Sequence, residues 1–283
     1  MFVSVRFYRI FNKMKVIVKE ILGKISVQRT ITKFDKFSSI DAIPGGSIVF
    51  KGAFKPPELD FDIKYDEYGC YTTRHISFSL SKLALNIINK NSSIIKEYIG
   101  PSARLDDIYI GCINPSLAKK KGISEGWHHD HCGHRIKLWM CLKGDGSSPT
   151  LYIPNTHKRS YMMSLNQLKR IFGRADYSKK PESIALRLSS GDIGIFDTNG
   201  LHRGGFDEKS QERVCLVIEF ISRGKSNLIC DRAPCGPGGS LKGLLHFSSQ
   251  VKETLNKTNF LDEDLLKSHK NGYSYSVSNL KKN

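Results

Sequence analysis

After Gly100-Pro101 the apolar residues of this chain fall into short, separated runs, and that spacing limits the fold more than any other feature. The runs are Ile108–Ile113, Ile136–Leu142, Thr150–Ile153, Ile184–Leu188, Ile193–Phe196 and Val214–Ile221. Each is too short for a stable helix, is rich in β-branched and aromatic residues, and is bounded by turn formers, so each predicts a strand. Many short strands punctuated by turns predict a sandwich or open barrel of the jelly-roll type. One helix, near Leu165–Phe172, interrupts them.

Upstream, Leu80, Leu83, Leu85, Ile87, Ile88, Ile94, Ile95 and Ile99 recur at helical spacing and predict one long or two short helices over 79–99. Gly45-Gly46 and Pro56-Pro57 mark a loop-rich stretch before them. Residues 1–34 carry eight basic side chains against the single acid Glu20, with apolar residues at helical spacing. This fits either a basic amphipathic helix on an anionic membrane surface or a helix packed on the domain with its lysines solvated. From Gly224 onward the chain turns polar, with a weak helical signal at Leu261–His269, and reads as a loosely attached extension. The expected plan is therefore 1–34 as a basic segment, 35–223 as a β domain with helical support, and 224–283 as a polar extension.

At 283 residues the chain is long enough to bury a sizeable core. Lys and Arg exceed Asp and Glu by 17. That balance favours anionic small molecules or surfaces as partners. No basic-aromatic motif of a nucleic-acid reader is present, so nucleic acid is not expected. The seven cysteines lack the short regular spacings of a disulfide framework, and several sit inside apolar runs. Cys230 and Cys235 are close enough to pair or to bind zinc. Free thiols suit a reducing, cytoplasmic setting. No stretch of about 18 residues is apolar throughout, so no membrane span is expected, and the N-terminus lacks the form of a secretory signal.

The chemistry-bearing residues cluster in two places. His128, His129, Asp130, His131, Cys132 and His134 form a dense potential metal site just before the run Ile136–Leu142. In extended chain the residues at i and i+2 point the same way, so His128 and Asp130 can meet one ion while His129 points elsewhere. A second histidine, His202, follows the strand and turn of 191–201, and Arg213 opens the last strand. Two imidazoles and a carboxylate on one face of an octahedral Fe(II) leave three positions open. An arginine nearby can bind a carboxylate through its planar fork. Zinc fits the first cluster as well, which keeps open a zinc-binding hydrolase, or a catalytically silent jelly-roll binding module. Arg213 could equally form a structural ion pair with Asp197 or Glu212.

The stretch from Trp127 to Phe220 resembles the phytanoyl-CoA dioxygenase family of Fe(II)- and 2-oxoglutarate-dependent oxygenases. The matching pieces are Trp-His-x-Asp at 127–130, Ile-Lys-Leu-Trp at 136–139, Ile-Pro-Asn-Thr-His-Lys at 153–158 and Gly-Asp at 191–192. Phe-Asp-Thr at 196–198, Gly-Leu-His-Arg-Gly at 200–204 and Glu-Arg at 212–213 complete them. The resemblance implies a double-stranded β-helix core, cupin-like in form, within a mainly β fold with flanking helices. It implies that His128, Asp130 and His202 bind iron and act as the catalytic centre. Arg213 would hold the far carboxylate of 2-oxoglutarate, with Trp139 lining that co-substrate. The activity implied is oxidation by dioxygen of a small-molecule, lipid or glycan-precursor substrate, with 2-oxoglutarate decarboxylated to succinate. A carboxylate at 130 points to hydroxylation, because halogenating relatives lack one there. Two positions depart from the pattern: Asn155 replaces the usual glycine of its turn, and Gly204 stands where some members place a hydroxyl.

Overall fold

The computed structural model describes residues 40–59, 61–101, 103–118, 126–128, 135–159, 182–198, 200–207, 209–222, 249–258 and 260. The basic segment 1–34, the stretch 129–134 with Asp130, the helix expected near 165–172, Cys230, Cys235 and the helical signal at 261–269 lie outside them.

Among the described residues nine strands form two antiparallel sheets: β1 (Ser47–Phe50), β2 (Cys70–Thr73), β3 (Ala103–Ile113), β4 (Arg135–Lys143), β5 (Thr150–Tyr152), β6 (Ile184–Leu186), β7 (Ile193–Asp197), β8 (His202–Gly204) and β9 (Arg213–Ser222). The larger sheet runs β1-β7-β4-β9-β3-β2 and the smaller β6-β5-β8. The bridge between His128 and His202 adds the chain at 126–128 to the free side of β8. From β4 onward the chain crosses to the small sheet for β5 and β6, returns for β7, crosses again for β8 and returns for β9. That alternation is the winding of a double-stranded β-helix.

Period-two patterning decides which face goes where. On β4, Ile136, Leu138, Met140 and Leu142 point outward into the main core, together with Val214, Leu216, Ile218 and Phe220 of β9. Their neighbours Trp139, Cys141, Cys215 and Val217 belong instead to a separate inner cluster. Two helices cover the outer face: α1 (Phe78–Lys90) and α2 (Ser92–Ile99). Ser77 caps α1 by accepting from the Leu80 amide at 3.2 Å. Leu80, Ala84, Ile87 and Ile88 then form its buried stripe. The helical pattern over 79–99 is thus two helices, split at Asn91, whose Nδ2 donates to the Ile87 carbonyl at 2.8 Å.

Part of the C-terminal extension departs from expectation. α3 (Ser249–Asn256) packs on α1, and Val251, Leu255 and Phe260 are buried in the main core. The Phe260 carbonyl accepts from the Leu105 amide at 2.8 Å, and its ring meets Phe220 edge-on at 5.3 Å. Polar composition hid this attachment because α3 is amphipathic and only one narrow stripe is apolar. Among the described residues no helix is long and apolar enough to cross a membrane.

Asn155 has φ 63°. It is the one non-glycine residue in the left-handed region among the described residues. Asparagine tolerates that region better than most side chains. The turn at Asn155 brings its amide to the Gly45 carbonyl at 3.0 Å.

Candidate metal and co-substrate site

His128 and His202, 74 positions apart in sequence, are brought onto facing rungs of the small sheet. Each amide donates to the other's carbonyl at 3.0 Å. Their rings lie 4.4 Å apart between centroids, tilted by 52°. Two imidazoles bound at right angles to one first-row ion, with metal–nitrogen bonds of about 2.1 Å, place their centroids about 4.5 Å apart. The observed spacing matches that arrangement.

The tautomers are set in the same way at both positions. His128 Nδ1 lies 2.7 Å from the Gly126 carbonyl, and His202 Nδ1 lies 2.9 Å from the Gly200 carbonyl. A carbonyl can only accept, so in the neutral rings each Nδ1 carries the proton and each Nε2 presents its lone pair. Metal-binding histidines are commonly oriented by such a bond. The residues responsible, Gly126 and Gly200, were not singled out from sequence. The repeated Gly-x-His pattern, Gly126-Trp127-His128 and Gly200-Leu201-His202, is the signal that carried them. Gly200 also sits where a side chain has no room, since a Cβ there would fall 2.0 Å from the Tyr152 hydroxyl. That hydroxyl donates to the Asp197 carbonyl at 3.1 Å, and burial followed by the nearby Asp197 charge pushes it well above the usual tyrosine range.

From the histidine pair an aromatic path leads to the arginine. His202 meets Phe196 edge-on at 5.5 Å, Phe196 meets Trp139 edge-on at 5.3 Å, and the Arg213 guanidinium lies over the Trp139 ring at 4.6 Å. Arg213 is buried, and its Nη1 donates to the Ser148 carbonyl at 2.6 Å and to Thr150 Oγ1 at 3.4 Å. Burial lowers its pKa, with only the thiols of Cys215 and Cys141 opposing.

Among the described residues Arg213 has no carboxylate partner. Glu212 instead pairs with Lys143 at 2.5 Å and accepts from Tyr65, while Asp197 accepts from Tyr98 at 2.6 Å. A buried, unpaired guanidinium is costly unless something anionic answers it. The indole Nε1 of Trp139 is likewise buried with no acceptor among the described residues. Cation and orphaned donor lie together, and both fit a bound carboxylate.

Beyond Phe196 the same inner face becomes polar. Lys137 stands opposite Phe196 on β7 and opposite Glu219 on β9. Glu219 pairs with Arg135, lies 3.3 Å from Lys137 Nζ, and accepts from the Tyr109 hydroxyl at 3.1 Å. Arg135 and Glu219 are both buried.

Four of the five residues picked out by sequence are thus described: His128 and His202 side by side, and Trp139 and Arg213 stacked. Asp130 is outside the described residues, and among these no group of three or more metal-type side chains is gathered. No family profile matches the chain, and no curated protein matches it. Solved structures give distant likenesses. HygX from Streptomyces hygroscopicus, with nickel and 2-oxoglutarate bound, is 12% identical over 69% of this chain and 87% of its own, at a TM-score of 0.43. The non-heme alpha-ketoglutarate-dependent epimerase SnoN from nogalamycin biosynthesis is 11% identical over 70% and 84%, at 0.42. EvdMO1 is 16% identical over 47% of this chain at 0.35, and the chain spans only 30% of its length.

Proposed function

We propose that this chain is a dioxygenase using Fe(II), 2-oxoglutarate and dioxygen to hydroxylate a small-molecule, lipid or glycan-precursor substrate. The observation that carries the reading is the pairing of two identically oriented histidines with a buried arginine that has no carboxylate partner among the described residues. His128, Asp130 and His202 would hold the iron, and Arg213 with Trp139 would hold the far carboxylate of the co-substrate. When bound, the metal and co-substrate supply the oxidising power.

The chain's own part is positioning and exclusion of water. The Gly126 and Gly200 carbonyls keep both Nε2 lone pairs directed away from the backbone. Phe196 and Trp139 form an apolar lining that runs from His202 to Arg213. In that dry setting a charge-assisted bidentate contact from the guanidinium is worth more than in water. On the far side of Phe196, Lys137 and Arg135, braced by Glu219, offer donors to an anionic substrate group. The catalytic unit runs over 35–223, with 249–260 packed against it.

The test is metal analysis of anaerobically purified protein together with a 2-oxoglutarate titration. One Fe(II) per chain, lost in Asp130→Ala, and metal-dependent 2-oxoglutarate binding are expected. Retained zinc with no 2-oxoglutarate binding would make the protein a zinc hydrolase. Neither metal nor 2-oxoglutarate would leave a jelly-roll binding module. Screening metabolites for stimulated succinate release then finds the substrate.

A further inference from the structure

Two thiols face each other beside Arg213. Cys141 of β4 stands directly opposite Cys215 of β9, and both are buried, packed with Leu188 and Val217. Their spacing follows from where the Cys141 backbone points. Its amide donates to the Asp192 carbonyl at 2.9 Å, and its carbonyl accepts from the Gly191 amide at 2.9 Å. Both groups are therefore engaged on the side away from β9, which makes Cys141 and Cys215 a non-hydrogen-bonded rung of the β4–β9 pair. Such rungs bring Cα atoms to about 4.5 Å, within the roughly 4.4–6.8 Å that a disulfide spans. Residues directly opposite share a face, so both sulfurs lie on the inner side with Trp139 and Arg213.

The pair is also electronically uneven. A hydrogen bond from Cys141 pulls the Cys215 thiol below its usual range against the effect of burial, and the charge of Arg213 adds to the pull. The same bond, then burial, pushes Cys141 upward. Cys215 is thus the better nucleophile, because the thiolate is the reactive form.

We propose that Cys141 and Cys215 are an oxidative modification site, closed to an intramolecular disulfide by hydrogen peroxide, and that closure weakens the hold of Arg213 on an anionic co-substrate. The Cys215 sulfur attacks one peroxide oxygen, the O–O bond breaks, and the departing hydroxide takes a proton to form water. The Cys141 sulfur then displaces hydroxide from the resulting sulfenic acid, forming the S–S bond, and its proton makes the second water. Two thiols and one peroxide become one disulfide and two waters; the sulfurs lose two electrons and the peroxide gains them. Thiol–disulfide exchange with a small reductant reverses the step.

The link to Arg213 is spatial. A Cβ placed on Gly144 would lie 3.1 Å from Cys141 Sγ and 3.5 Å from Arg213 Cγ, so thiol and arginine stem flank one spot. Closing the disulfide draws Cys141 Sγ from its 3.5 Å contact with the Leu188 carbonyl and so shifts the wall against which the Arg213 stem rests. That second half rests on Arg213 being the co-substrate anchor; the disulfide itself does not.

The experiment exposes the reduced full chain to hydrogen peroxide, then alkylates, digests and maps peptides, with a parallel 2-oxoglutarate titration. A linked peptide pair containing Cys141 and Cys215, lost on dithiothreitol treatment, is expected. The apparent Kd for 2-oxoglutarate should rise about fivefold or more and return on reduction. Cys141→Ser and Cys215→Ser, with the alanine variants if serine prevents folding, should show neither change. Alkylated Cys141 and Cys215 after peroxide treatment would overturn the site. A formed disulfide with unchanged Kd would overturn the regulation. Reduced protein that fails to bind 2-oxoglutarate overturns the anchor role of Arg213, and with it the regulation, while the peptide map still decides the disulfide.

Discussion

His128 and His202 exchange both backbone hydrogen bonds at 3.0 Å, and each ring nitrogen Nδ1 is tied to the carbonyl two residues upstream. The rung sets how far apart the rings stand, and the Nδ1 contacts set how they are turned. The geometry of the histidine pair is therefore held by main chain on both sides.

The contact at Gly200 can be loosened without touching a histidine. A Cβ there overlaps the Tyr152 hydroxyl, so Gly200→Ala must shift either the tyrosine or the carbonyl that orients His202. Disturbing such an orienting partner typically costs about 10–100-fold in metal affinity. Anaerobic Fe(II) titration of the folded variant should show this loss; unchanged affinity would mean the carbonyl contact is dispensable.

Arg213→Ala should raise the 2-oxoglutarate requirement about tenfold or more, since a charge-assisted bond contributes on the order of 1.5–3 kcal/mol. The iron-binding isotherm should stay near that of the wild type, because the arginine packs on Trp139 while His202 packs on Phe196. Equal losses in metal and co-substrate binding would show that the arginine acts structurally.

Asp192 clamps the turn before β7, accepting from Lys51 Nζ at 2.8 Å and from the Gly52 and Ser189 amides at 2.9 and 2.8 Å. Burial raises its pKa, but these bonds outweigh burial and hold it below the usual range. A depressed carboxyl lends stability above its unfolded value and loses it as pH falls through the folded one. Wild type should therefore exceed Asp192→Asn by about 1–2 kcal/mol at neutral pH. The gap should shrink below about pH 4. Denaturant melts at several pH values would show it, and a gap independent of pH would rule out the charge as its source.

Leu255 of α3 is fully buried against the main core. Leu255→Ala should cost about 2–5 kcal/mol, read as a lowered midpoint in a denaturant melt. A surface-like change of a few tenths would mean that the segment is only loosely held.

Much of the β framework was legible because inner and outer faces alternate. The runs Ile136–Leu142 and Val214–Ile221 differ from β4 and β9 by only one residue at each end. β1, β2 and β8 were not anticipated. Ser47–Phe50 and Cys70–Thr73 are four-residue edge strands whose polar and apolar residues make no periodic pattern, and β8 is three residues held by pairing to β5. At the site, the residue types of His128, His202, Trp139 and Arg213 could be read from order and spacing. What could not be read was the register. Nothing local in sequence says that Cys141 faces Cys215, or that Arg213 stacks on Trp139, because those neighbours are set by strand pairing across more than 70 positions.

The site draws on the chain at 126–128, 139, 148–150, 196–198, 200–202 and 213, segments no single hairpin unites. It comes into being only when the last strand has inserted between β3 and β4, so a partly wound barrel does not yet hold the histidine pair and Arg213 together. Ligands would consequently act as a ratchet on maturation, raising the thermal midpoint with the logarithm of their concentration over the dissociation constant.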